Sequence, residues 1–171
     1  MSSIVPCPLP DTSLLARYRF LAGTYTDCYA TELGSAVSQA EFVQAFYTTW
    51  VFKLERAVLR LAVNRPSTDA QAARLAQGEL QAFAAWTVED RREDQLLLCD
   101  MHGRTRSWLM TEPMESGRRT RLYFGSAVVP PKGSESAADI GGGFRFLLGF
   151  HKLYSRILLK AAVARLQRRD G

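Results

Sequence analysis

The chain has 171 residues and a mass of 19.1 kDa, the size of one domain. Hydrophobic residues make up 47% and charged residues 23%, the mix of a globular chain that can bury about two-thirds of its unfolded surface without a metal or disulfide staple. The net charge is +5, with Arg104, Arg106, Arg118, Arg119 and Arg121 in one region and Arg165, Arg168 and Arg169 in another. A basic surface of this kind can steer anions, but its arginines are not interleaved with aromatics at a recognised spacing, so no nucleic-acid partner is expected.

Residues 1–13 carry Pro6, Pro8 and Pro10. Alternate prolines lack the N–H that a ladder or helix interior needs, which predicts an extended arm. Leu14 to Leu21 is a short apolar stretch of open type. Thr24 to Leu33 alternates in an aromatic and β-branched pattern and reads as a strand. Ser38-Gln39-Ala40-Glu41 is a capping box that opens a helix along Phe42, Ala45 and Phe46. Thr48-Thr49-Trp50 interrupts it, and Val51, Leu54, Val58 and Leu61 continue at helical spacing until Pro66. Ser67 or Thr68 caps a short helix, Asp69 to Ala76, closed by Gly78.

Strand texture follows at Leu80–Asp90, Gln95–Met101, Arg104–Glu112 and Arg119–Val129. The intervening turns are short, so neighbours pair as antiparallel hairpins, with Gly103 and Gly117 at positions suited to positive φ. Pro130-Pro131 ends the last strand. Lys132 to Gly143 is a polar loop, and Phe144 to Gln167 is a long helix.

Turn geometry fixes register. A turn at His102-Gly103 sets Arg106 opposite Cys99 and Trp108 opposite Leu97; one at Ser116-Gly117 sets Met110 opposite Tyr123 and Trp108 opposite Gly125. Trp86 is expected near Cys99 and Val88 near Leu97. One face then carries Trp86, Val88, Leu97, Cys99, Arg106, Trp108, Met110 and Tyr123. The other carries Phe83, Thr87, Leu96, Leu98, Ser107, Leu109, Leu122 and Phe124. Both are largely apolar, so both should be covered, or one lines a cavity or an interface. The indole and phenol groups of the Trp/Tyr face need polar partners, which a ligand pocket can supply.

The last helix is apolar over most of its circumference. His151, Ser155 and Leu158 share one face, and Phe146, Phe150, Leu153 and Ile157 another. Such a helix is covered on two sides, by the sheet and by another element, a second copy of the chain or a membrane surface. No stretch approaches the ~20 apolar residues of a membrane span. Nor does the N-terminus resemble a secretory signal, which with free thiols gives a cytoplasmic expectation. The three cysteines, Cys7, Cys28 and Cys99, form no CxxC pair, and the two histidines, His102 and His151, add no ligand spacing. No metal or other cofactor is expected.

The order strand, kinked helix pair, antiparallel meander and long terminal helix resembles the helix-grip fold of the START and birch-pollen-allergen-like superfamily, SRPBCC. The resemblance covers residues 24–167 and implies an α+β domain (24–171, after an arm at 1–23) whose sheet wraps the C-terminal helix around an apolar cavity. It departs from the family in its strand count, five where six or seven are usual. It implies binding of a lipid-like or aromatic small molecule by Trp86, Leu97, Arg106, Trp108, Met110, Tyr123, His151, Ser155 and Leu158, with Arg106 suited to an acidic head group and no catalytic residue assigned. The alternatives are an interaction module that uses the last helix, and a cyclase or dehydratase on the same scaffold.

Overall fold

Side chains alternate along a strand, so a sheet has two faces to cover, and here each is covered by a different part of the chain. The computed structural model describes residues 3–53, 67–130 and 142–168; within the last stretch, the side chains described are those of 154–168. Seven strands form one open antiparallel sheet: β1 (Val5–Pro6), β2 (Tyr25–Leu33), β3 (Ala82–Phe83), β4 (Trp86–Arg92), β5 (Gln95–Asp100), β6 (Thr105–Met114) and β7 (Arg119–Val128). Their order is β1-β2-β7-β6-β5-β4-β3. Among the described residues the helices with both ends given are α1 (Gln39–Tyr47), α2 (Asp69–Ala76) and α3 (Gly142–Gln167), and residues 50–53 are also helical. The expected α+β class is present, with an antiparallel sheet and a C-terminal helix. Most of the Val51–Leu61 run, Pro66, and the loop from Pro131 to Gly141 lie outside the described residues.

Local chemistry sets the helix starts. Both Ser38 and Thr68 accept from the backbone N–H three residues on, and Glu41 and Gln71 reach back to the cap, so each helix opens on a full capping box. Gly78 follows α2 with φ +83°. Arg91 Nη2 donates to the Leu75 carbonyl at 2.6 Å, fastening the end of α2 to β4.

Three expectations about strands are corrected. The arm joins the sheet: Val5 pairs with Ala30 and Pro6 with Tyr29. An edge strand needs backbone donors on one side only, and proline is tolerated there. The single strand expected at Leu80–Asp90 is a hairpin, β3 turning into β4 through Ala84 and Ala85, with Ala84 at φ +53°. These two changes raise the five expected strands to seven. Finally, the pairing of β4 with β5 shifts between Val88 and Asp90, a β-bulge with Glu89 as the extra residue. Trp86 therefore sits opposite Asp100 and Val88 opposite Leu98, one residue off the expected pairing. The registers expected for β5–β6 and β6–β7 are found: Arg106 opposite Cys99, Trp108 opposite Leu97 and Gly125, Met110 opposite Tyr123.

The inner face meets the helices. Leu96, Leu98, Leu109, Leu122 and Phe124 pack with Phe42, Phe46 and Tyr47 of α1, Leu75 of α2, and Leu158, Leu159 and Ala162 of α3. The outer face is covered by a 3-10 turn, Leu14–Tyr18, whose Leu14 and Leu15 pack on Leu97, Trp108, Met110 and Tyr123, with Cys7 and Leu9 of the arm packed beside them. From Tyr154 onward, α3 is buried along Ser155, Leu158, Leu159, Ala162, Val163 and Leu166, while Ile157 is exposed.

Candidate functional site

The residues expected to surround a guest are divided between the two faces. Trp86 lies against the inner layer, as do Leu158 and the fully buried Ser155. Leu97, Trp108, Met110 and Tyr123 lie on the outer face, under Leu14 and Leu15. Arg106 is there too, beside Tyr18. The sheet stands between them and α3, so the expected convergence is corrected: among the described side chains, Trp86, Ser155 and Leu158 alone share a side. The bulge at Glu89 carried Trp86 across. The side chain of His151 lies outside the described residues.

The polar groups of the outer set are satisfied by the protein. Trp108 Nε1–H donates to Gln95 Oε1 at 2.9 Å, and the Leu14 N–H donates to the same oxygen at 2.8 Å. The Tyr123 hydroxyl donates to Glu112 at 2.6 Å. Arg106 Nε donates to Glu89 at 2.9 Å, and its guanidinium lies 4.7 Å from the Tyr18 ring centroid. Tyr18 in turn donates to Glu89. Burial works against the charge on Arg106, but the Glu89 hydrogen bond holds its pKa above the usual value. These groups fasten the Leu14–Tyr18 turn to the sheet, and Arg106 is committed to that task rather than offered to an acidic head group.

A cleft of about 700 Å³ opens beside the arm, bordered by Val5, Cys7, Pro8, Ala30, Arg121 and Tyr123. Its charges are matched. Glu32 accepts from Arg119 at 2.8 Å and from Arg121 at 2.6 Å, and Arg119 also reaches Glu115 at 2.7 Å. The bond from Arg121 holds the Glu32 carboxyl below the usual carboxylate range.

The inner face carries a different feature, a polar row across an apolar layer. Alternation from Tyr29 and Leu33, both in that layer, puts Asp27 on the same side of β2. Asp27 Oδ1 accepts from Ser126 Oγ–H at 2.5 Å and from the Ser126 N–H at 3.2 Å. Ser126 on β7 stands directly opposite Ser107 on β6. The Ser107 and Tyr47 hydroxyls are 3.1 Å apart, which ties the row to α1. Ser107, Ser126 and Tyr47 are buried, whereas Asp27 is half-buried. The same layer holds Tyr29, Phe124, Phe46 and Phe83, the last two with ring centroids 5.2 and 5.8 Å from that of Tyr47. Burial, and then the nearby Asp27 charge, push the Tyr29 phenol above its usual pKa.

Most of this row was missed from sequence. Its strand residues enter the sequence reading only as members of strands: Asp27 within Thr24–Leu33, Ser107 on the face opposite the expected pocket, and Ser126 within Arg119–Val129. The available signal was the β6–β7 register itself: pairing Trp108 with Gly125 also sets Ser107 opposite Ser126, two hydroxyls facing each other on an apolar face.

No family model matches the chain, and no curated protein matches it. Among solved structures, it is similar to the crystal structure of CalU16 from Micromonospora echinospora, at 9% identity over 98% of this chain and 96% of that one, with a TM-score of 0.32. A likeness at that level carries no argument about fold or function. No described helix is long and apolar enough to cross a membrane.

Proposed function

We propose that the chain is a helix-grip, START-like protein that binds a hydrophobic, lipid-like or aromatic small molecule between the inner face of its sheet and α3, without chemistry of its own. The observation that carries this reading is the row Asp27–Ser126–Ser107–Tyr47, placed across an otherwise apolar, aromatic-rich layer. Binding sites for small molecules have this composition: an apolar wall supplies the affinity and a few placed polar groups fix orientation. Trp86, Ser155 and Leu158 belong to the wall on this reading, with His151 one helical turn before Ser155.

The chemistry of the row selects the guest. Asp27 is an acceptor and repels a second anion, so the favoured polar end is a hydroxyl or an N–H donor on an apolar body, not a carboxylate. Thermal shift and native mass spectrometry with paired long-chain alcohols, phenols and the matching acids test this. The expected result is one retained alcohol or phenol per chain. Asp27→Ala should weaken it at least about ten-fold, the size of a hydrogen bond to a charged group. Stronger retention of the acids, equal binding by the variant, or no retention across the panel overturns the reading.

A further inference from the structure

The ladder that joins the arm to β2 runs past Pro6. With Val5 opposite Ala30 and Pro6 opposite Tyr29, the next pair is Cys7 and Cys28, and the Cys7 N–H donates to the Cys28 carbonyl at 3.0 Å. Their Sγ atoms are 3.2 Å apart and both thiols are free. A hydrogen-bonded antiparallel pair has Cα atoms ~5.5 Å apart, inside the ~4.4–6.8 Å that a disulfide spans. The sulfurs therefore need to approach by about 1 Å, with no rearrangement of the backbone pairing.

The two thiols differ in access. Cys7 is half-buried and borders two clefts lined by the arm, whereas Cys28 is buried. Cys99 on β5 is separated from β2 by β7 and β6, and strands lie ~4.8 Å apart, so it is out of reach of both.

We propose that Cys7 and Cys28 form a redox modification site, a dithiol that closes to a disulfide and pins the N-terminal arm to β2. The co-reactant is a small disulfide of the glutathione type. The Cys7 thiolate attacks one of its sulfurs; that S–S bond breaks and one thiolate leaves, taking up a proton. Cys28 then loses its proton and attacks the Cys7 sulfur of the mixed disulfide, expelling the second thiol. Two protein S–H bonds are lost, one S–S bond forms, and the oxidant is reduced to two thiols. The electrostatics suit this order. The hydrogen bond with Cys28 lowers the Cys7 thiol pKa, burial opposes it, and Arg121 adds to the lowering. The same hydrogen bond, and then burial, raise Cys28.

Closure would tie off residues 7–28, which include the Leu14–Tyr18 turn that covers the outer face. A cross-link over a ring of that length chiefly restricts the unfolded chain. It should raise the melting temperature of the oxidised form by roughly 10 °C over the reduced form.

The test uses the full folded chain, incubated with excess oxidised glutathione, acid-quenched, alkylated and weighed intact, with a non-reducing digest to map linkages. The expected wild-type product has lost the mass of two hydrogens, alkylates at Cys99 alone, yields a Cys7–Cys28 linked peptide and melts higher. Cys28→Ser should stop at a stable glutathione adduct on Cys7, and Cys7→Ser should leave Cys28 unmodified. Three free thiols, a persistent Cys7 adduct in the wild type, a linkage through Cys99 or an unchanged melting temperature overturns the proposal. The wild-type map decides the question if either variant fails to fold.

Discussion

Both faces of the sheet are covered, but they are held in different ways. On the inner face, helices lay broad apolar stripes on Leu96, Leu98, Leu109, Leu122 and Phe124, so buried area, at roughly 25 cal/mol per Å², adds to the Tyr47–Ser107 and Arg91–Leu75 hydrogen bonds. On the outer face, the cover is a five-residue turn with a few residues of the arm beside it. So little chain cannot bury comparable area, and it is fastened by hydrogen bonds instead. Leu14 and Trp108 share Gln95 Oε1, Gln95 and Arg92 both donate to the Thr12 carbonyl, Tyr18 and Arg106 meet at Glu89, and Arg17 pairs with Asp90. The lesson is that a dry, aromatic-rich face is not by itself a guest site. What separates the faces is how much the polar groups carry: on the outer face they fasten a short segment, and on the inner face they accompany a broad apolar layer.

The sharpest way to break that contrast is Trp108→Ala. Trp108 is fully buried in the outer layer, and its loss should cost ~3–5 kcal/mol in denaturant unfolding. The contrast requires more than a lower stability. Hydrogen exchange should accelerate at Leu14–Tyr18 in this variant and not in Phe46→Ala, an inner-layer truncation of similar cost. Equal exchange at the turn in both would show that the faces are not separately fastened.

Gln95→Leu keeps the volume and removes the acceptor. It strands two buried donors, the Leu14 N–H and the Trp108 indole N–H, at about 1–3 kcal/mol each. The expected loss is about 2–6 kcal/mol, read from the denaturation midpoint at constant slope. Gly125→Ala follows at about 1–3 kcal/mol, the cost of overpacking. A Cβ there would stand 2.9 Å from Leu15 Cδ2, 2.9 Å from Trp108 Cε3 and 3.0 Å from the Asp27 carbonyl oxygen. Wild-type stability in this variant would mean that the turn gives way easily, against the picture of a fastened cover.

Much of the frame was legible because it is local. The Ser38 capping box, the glycines at positive φ and the hairpin registers all follow from residues a few positions apart. The site was less legible, for two physical reasons. A one-residue bulge inverts every side chain beyond it, and nothing in Trp86–Arg92 announces that Glu89 is the extra residue. Which face an apolar stretch covers is also a long-range matter. Leu14-Leu15 read only as short and apolar, yet their landing on Trp108 reassigns the whole Trp/Tyr/Met/Arg set from guest pocket to fastening. Ser107 and Ser126 were hidden for the opposite reason: each is unremarkable alone and acquires meaning only through the partner across the strand.

The smallest expected effect concerns alkaline pH and reaches both faces. On the outer face, burial, and then a hydrogen bond to a carboxylate, push the phenols of Tyr18 (to Glu89) and Tyr123 (to Glu112) from their usual value near 10 up to about 12. A raised phenol pKa means that the folded chain holds its proton more tightly than the unfolded chain. The contribution is therefore complete below pH 10 and is lost as pH climbs from 10 to about 12. Melting temperature should decline across that window. Burial also raises Tyr25 and Tyr29 on the inner face, so Tyr18→Phe and Tyr123→Phe should each flatten the decline without abolishing it. Tyr18 is the more informative of the two, because its ring also lies against Arg106. If Tyr18→Phe leaves the alkaline slope unchanged, the Tyr18–Glu89–Arg106 contact is not among the bonds that hold the outer cover, and the work falls to Gln95, Arg92 and Arg17.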